Sequence, residues 1–232
     1  MTSIRLPGLL LTVSLAALSM QAIAQGQVDL EDMDQRMAYA LGVNVGQGLS
    51  QQGLLEGLDV NVFMAGVLDS VANNPQLDNQ QVGLALQAFQ QRMQERAQAE
   101  ISGNLEASEA FLAENGQRDG VVVLDSGLQY EIMESGPAGG DSPSASDSVL
   151  AHYHGTLADG SVFDSSVQRG EPAQFGLSQV IAGWTEALQL MKVGDKWRLY
   201  IPPGLAYGEA SPSPAIPPNS ALVFEVELLE IR

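Results

Sequence analysis

The amino-acid sequence predicts an α+β chain: an N-terminal all-α domain ending in a long connecting helix, then an antiparallel β-sheet wrapped around one short helix. Three observations carry that prediction. From Asp29 to about Gly116, apolar residues recur at helical spacing among Gln, Ala, Leu and Met, with Pro75 the only proline. Beyond Asp119 the chain changes to β-branched and aromatic runs broken by Gly and Pro, with one short helical window from Trp184 to Met191. At 45% hydrophobic and 16% charged residues, the chain can bury a core and does not have the composition of a disordered one.

The first 24 residues read as a secretory signal. Arg5 supplies the positive start, Leu9 to Met20 an apolar run too short to span a bilayer, and Ala22-Ile23-Ala24 the cleavage signature. With no cysteine anywhere, disulfides, thiolate metal sites and a lipid anchor on an N-terminal Cys are all excluded. The expectation is an exported chain with no integral membrane segment after signal cleavage.

Residues 25–117 form the predicted helical domain. Its first helix runs from about Leu30 to Gln51, with Leu30, Met33, Met37, Leu41, Val45 and Leu49 on one stripe. Gly42 and Gly46 lie four apart in it, and a helical Gly costs about 1 kcal/mol against Ala. Small residues so spaced let another backbone approach closely. A second helix, about Asn61 to Ala72, stops at Asn73-Asn74-Pro75. The third starts near Asp78, a good N-cap, and carries Val82, Leu86, Phe89 and Met93 on one face. From Gln94 to about Glu114 its apolar residues thin out, the pattern of a solvent-bridging connector. Helices with so few large apolar residues make a thin core, so homodimerisation is expected to supply the missing burial.

Residues 118–232 form the second predicted domain. Val121 to Leu124, Leu128 to Glu134, Ser148 to Leu157, Val162 to Ser165, Lys196 to Pro202 and Ala221 to Ile231 read as strands. Turn chemistry at Asp125-Ser126-Gly127, Asp159-Gly160, Val193-Gly194-Asp195 and the Pro-rich 211–218 stretch separates them. The whole chain has a formal charge of −18; without Arg5 of the signal, the charge is shared between the halves, three basic against 13 acidic residues and six against 15. With no Lys/Arg stripe, nucleic acid is not an expected partner.

Five ordered motifs in this half carry a resemblance. Val149-Leu150-Ala151-His152-Tyr153-His154-Gly155, Asp159 to Ser166, Val180-Ile181-Ala182-Gly183-Trp184, Leu205-Ala206-Tyr207-Gly208 and Leu222 to Leu228 look like an FKBP-type peptidyl-prolyl cis-trans isomerase domain. Gly120 to Leu124 and Ser126 to Tyr130, following a long helix, resemble its macrophage infectivity potentiator group. The resemblance implies an FKBP-like fold at residues 118–232, a dimer made by the helical half, and no cofactor or metal.

The reaction itself constrains the site. An X-Pro bond rotates over a barrier of about 18–20 kcal/mol set by amide resonance. An apolar pocket that strips water from the prolyl carbonyl favours the less charge-separated twisted amide, so neither nucleophile nor metal is needed. By resemblance Trp184 forms the floor, with Phe163, Phe175, Val180, Ile181, Ile216 and Phe224 seating the substrate. Tyr153, Asp164 and Tyr207 complete the catalytic set: Ile181 N–H and the Tyr207 hydroxyl hold substrate carbonyls, and Asp164, steadied by Tyr153 and Arg169, lies beside the twisting amide. His152 and His154 share the opposite strand face with no third ligand at metal spacing. Where many relatives have a Gly-rich flap, this chain has Ser211-Pro212-Ser213-Pro214-Ala215, and Pro212 fixes a φ.

The resemblance implies a prolyl isomerase assisting folding of proline-containing or unfolded polypeptides in the periplasm of a Gram-negative cell, or peripheral to its outer membrane or surface. Rapamycin-type macrolides are expected to compete for the pocket. The alternative is a chaperone that holds unfolded chains with little catalysis.

Overall fold

The structure is a computed structural model that describes residues 28–232, so the signal segment at 1–24 lies outside the described residues. The described residues divide into two compact units, one ending at Asn79 and one from Gln80 to Arg232, whereas the composition shift in the sequence falls near residue 117.

In the first unit, α1 (Met33–Gln51) is capped by Asp32, whose carboxylate accepts from the Gln35 N–H. Asp59 caps α2 (Val60–Val71) the same way, accepting from the Asn61 N–H at 2.8 Å. The expected stop after α2 is built by Asn73 in the left-handed region (φ 55°), with the Asn74 N–H donating to Asp69 C=O at 2.9 Å. No residue of α1 or α2 is buried.

The second unit opens with α3 (Asn79–Asn115) and continues into a seven-stranded antiparallel sheet. The strands are β1 (Val121–Val123), β2 (Gln129–Glu134), β3 (Ser148–Leu157), β4 (Val162–Ser165), β5 (Ala173–Gly176), β6 (Lys196–Ile201) and β7 (Leu222–Ile231). Their order is β1-β2-β6-β7-β3-β4, and β5 pairs with the first half of β3 beside the part that pairs with β4. Two small elements lie between these strands, α4 (Ser166–Arg169) after β4 and α5 (Ala182–Leu190) after β5.

Alternation along β3 and β7 decides which face is core. Val149, Ala151 and Tyr153 of β3 and Leu222, Phe224, Val226 and Leu228 of β7 point inward, while His152, His154, Glu225 and Glu227 lie on the other face. The inward face buries α5 through Gly183, Trp184, Ala187 and Leu188. Gly183 is required there, because a Cβ would stand 2.5 Å from Ile201 Cγ2. The close seat of α5 sets the depth of the neighbouring Trp184.

The last turns of α3 are not the solvent-bridging connector that their polar sequence predicts. Leu112, with Phe111, packs on Tyr200, Ala221 and Val223, on the outer face of the sheet. Asn115 Nδ2 donates to Gln129 Oε1 at 2.8 Å, and Gln129 Nε2 donates to Leu112 C=O at 2.8 Å. These buried amides satisfy one another, so a polar helix face is docked without orphaned groups.

Candidate active site

One cavity of about 570 Å³ opens on the inner side of the sheet, where α5, β3, β4, β5, β7 and the 207–216 loop meet. Trp184 projects from the first turn of α5 into its base. Phe175 and Phe224 approach the indole edge to face at 5.2 and 5.3 Å, and Tyr153 does so at 5.6 Å. Phe163 completes the wall against Phe224 at 5.4 Å. Phe163 and Phe224 can approach β3 so closely because residue 155 is glycine; a Cβ would lie 2.7 Å from the Phe163 ring and 2.9 Å from Phe224. Val180, Ile181, Tyr207 and Ile216 line the remaining sides.

Among the described residues that line the cavity, a single one is charged. Asp164, the third residue of β4, accepts a hydrogen bond from the Tyr153 hydroxyl at 2.5 Å and pairs with the Arg169 guanidinium. Arg169 Nη2 also donates to the Tyr153 oxygen at 2.8 Å, closing a three-residue ring. The single turn α4 makes this possible. Ser165 caps it by accepting from the Gln168 N–H, and Gly170 ends it at φ 81°, so that Arg169 curls back over Asp164. Behind the ring, the buried Ser166 hydroxyl accepts from the Tyr153 N–H at 2.7 Å and holds β3 against α4.

Burial would raise the Asp164 carboxyl, but the hydrogen bonds from Tyr153 and Arg169 outweigh it and hold the group below the usual carboxylate range. The Tyr153 phenol moves the other way, pushed up by burial and by its bond to the carboxylate. Asp164 is therefore an anion and Tyr153 a neutral donor at neutral pH.

All ten site residues named from sequence line this one cavity. Gln179 and Ser213 also line it and were missed; Gln179 is polar and lies in a short turn with no periodic pattern, and Ser213 lies inside the irregular flap. His152 and His154 lie outside the cavity, with their Nδ1 atoms 3.1 Å from Ser166 Oγ and 3.0 Å from Ser165 Oγ.

The fold is that of a known class. Residues 139–229 match the family model described as FKBP-type peptidyl-prolyl cis-trans isomerase, and residues 34–132 match the domain amino-terminal to it. The chain belongs to the FKBP-type peptidyl-prolyl cis-trans isomerases. It is 43% identical over 202 residues to the FKBP-type 22 kDa peptidyl-prolyl cis-trans isomerase of Escherichia coli, covering 87% of this chain and 97% of that protein. It is 37% identical over 221 residues to the outer membrane protein MIP of Legionella longbeachae, covering 93% of each. The crystal structure of FkpA from Escherichia coli superposes with a TM-score of 0.70 at 40% identity, over 87% of this chain and 98% of that one.

Proposed function

We propose that the aromatic cavity is where this isomerase turns X-Pro bonds, with the pyrrolidine ring on Trp184 and between Tyr153, Phe163, Phe175, Val180, Ile216 and Phe224. The observation that carries the reading is the convergence of ten separately placed residues, from six segments of the chain, on one apolar cavity with one ionised carboxylate. A twisted amide has lost its resonance and much of its charge separation, so dry aromatic walls favour it over the planar ground state. Ile181 N–H and the Tyr207 hydroxyl hold the flanking carbonyls. Asp164 keeps a fixed negative charge beside the rotating group, and the Arg169 and Tyr153 bonds fix its direction. A holding chaperone without catalysis would not need that ring of contacts.

Export to the periplasm, with clients among unfolded envelope proteins, fits the signal-like start of the sequence. Dimerisation fits the uncovered Met33, Met37, Leu41 and Val45 of α1, which range from 52% to 69% exposed. Macrolides of the rapamycin type would occupy the same cavity.

The test is a proline tetrapeptide turnover assay on variants. Trp184→Ala and Asp164→Ala should each lower kcat/KM by at least about tenfold, roughly 1.4 kcal/mol of transition-state stabilisation, with unchanged circular dichroism. Wild-type rates in both folded variants would overturn the assignment.

A further inference from the structure

The 208–219 loop is closed at its base by one backbone bond, the Asn219 N–H donating to Gly208 C=O at 2.6 Å. Both residues are in the left-handed region, Gly208 at φ 58° and Asn219 at φ 53°, so the base is a sharp, defined reversal. The loop carries Pro212, Ser213 and Ile216 to the cavity, and Tyr207 is the residue immediately before it. Its conformation therefore sets one whole wall of the site.

What holds the base is α3. Ser108 Oγ donates to Asn219 C=O at 2.7 Å and accepts from the Ala221 N–H at 2.7 Å. Asn104 Nδ2 donates to Pro218 C=O at 3.0 Å, and Asn219 Nδ2 returns a bond to Ile101 C=O at 3.2 Å. Ser108, Asn219 and Ala221 are all buried, so water does not readily replace the two Ser108 bonds when they are broken. Consecutive turns of α3 thus grip Pro218, Asn219 and Ala221, where the loop runs into β7.

We infer that Asn104 and Ser108 are positioning residues of the isomerase site, acting through Pro218 and Asn219 on the flap that follows Tyr207 and carries Ser213 and Ile216. Neither touches the cavity. The inference rests on the cavity being the catalytic site, and its consequence falls on the selectivity for the residue before proline, because the flap is the wall that can move without disturbing Trp184 or Asp164. Small displacements of positioning groups are expensive in rate.

The experiment uses full-length Ser108→Ala and Asn104→Ala, with Gln98→Ala at an exposed position of α3 as control. In folded protein, kcat/KM on a tetrapeptide should fall by about threefold or more. The ratio of rates for Leu-Pro and Ala-Pro peptides should shift by at least about twofold, while the control matches wild type. Amide hydrogen exchange over 208–219 should speed by about tenfold or more, with β6 and β3 unchanged. Unchanged flap exchange would overturn the inference, as would faster exchange with wild-type rates and selectivity, or a uniform rate loss that merely follows the folded fraction. A catalytically inactive wild type, or Trp184→Ala at full activity, would instead sink the reading of the cavity itself.

Discussion

The two compact units differ in how they are held together. In the C-terminal unit, Leu128, Leu177, Leu188, Leu199, Ile201, Leu222 and Leu228 are fully buried around α5, and aromatic side chains fill the space up to the cavity. In the N-terminal helices α1 and α2, nothing is buried, and Val62, Leu68 and Leu41 are each more than 60% exposed. The comparison teaches that one unit has satisfied its own hydrophobic pattern, while in the other the pattern is not covered among the described residues. A rigid site belongs on the first kind of unit; an assembly surface belongs on the second.

The largest effect that could break this comparison is on stability. Leu199→Ala removes a fully buried side chain from β6 and should cost about 2–5 kcal/mol, read as a lower melting transition of the C-terminal unit. Gly46→Leu on α1 should leave that transition in place. A Cβ at Gly46 or Gly42 meets nothing within 4 Å among the described residues, so the clash expected from a Leu there is with a partner helix. Light scattering should then report one chain mass for the variant and two for wild type, and salt should tighten the wild-type dimer because both chains are strongly acidic. A monomeric wild type at micromolar concentration would break the comparison outright.

Next in size is the separation of peptide from protein activity. A chain beginning at Gln80 retains the whole second unit, including the α3 grip on the flap, and should match full-length kcat/KM on a tetrapeptide within about twofold. It should lose most acceleration of proline-limited protein refolding, because two linked sites can raise avidity by about 10²–10⁴ over one. A chain beginning at Gly120 still contains every lining residue, yet it lacks Asn104 and Ser108, so it should fall below the Gln80 chain even on peptides. Equal refolding activity per site in the Gln80 chain and the full chain would confine the N-terminal helices to a role other than reach.

Much of this is legible in the sequence. The stripe on α1, the Asn73-Asn74-Pro75 stop and the alternation in β3 and β7 gave elements within about three residues of their observed bounds, because local periodicity and local burial agree there. Two elements were not legible. In β5, Ala173-Gln174-Phe175-Gly176 has no β-branched residue, and its extended form comes from pairing with β3. In α4, one turn is too short for a period, although it is what delivers Arg169. The site residues stood out as motifs of unusual side chains. The grip on the flap did not, since Asn104 and Ser108 read as ordinary polar helix positions until Asn219, 111 residues beyond Ser108, is brought against them.

The smallest effect concerns pH, and it separates the site from the fold within one unit. The Asp164 carboxyl is held below its ordinary range, so the Tyr153 and Arg169 contacts favour the anion. A depressed folded-state value means that this contribution is present above the ordinary carboxylate range and is lost as pH falls through the folded value. Asp164 and Arg169 side chains are 45% and 46% exposed, so solvent screens the pair and its share of stability is small. The melting transition should therefore barely register the titration. The rate should register it, because the fixed charge faces the reacting amide: kcat/KM stays level from about pH 8 to about 5 and drops only below about pH 4. Asp164→Asn should be slower at neutral pH and lose that acidic limb. An activity loss already under way between about pH 7 and 6 in wild type, or an acidic limb retained by Asp164→Asn, would assign the titrating group elsewhere and leave Asp164 a role in holding α4 alone.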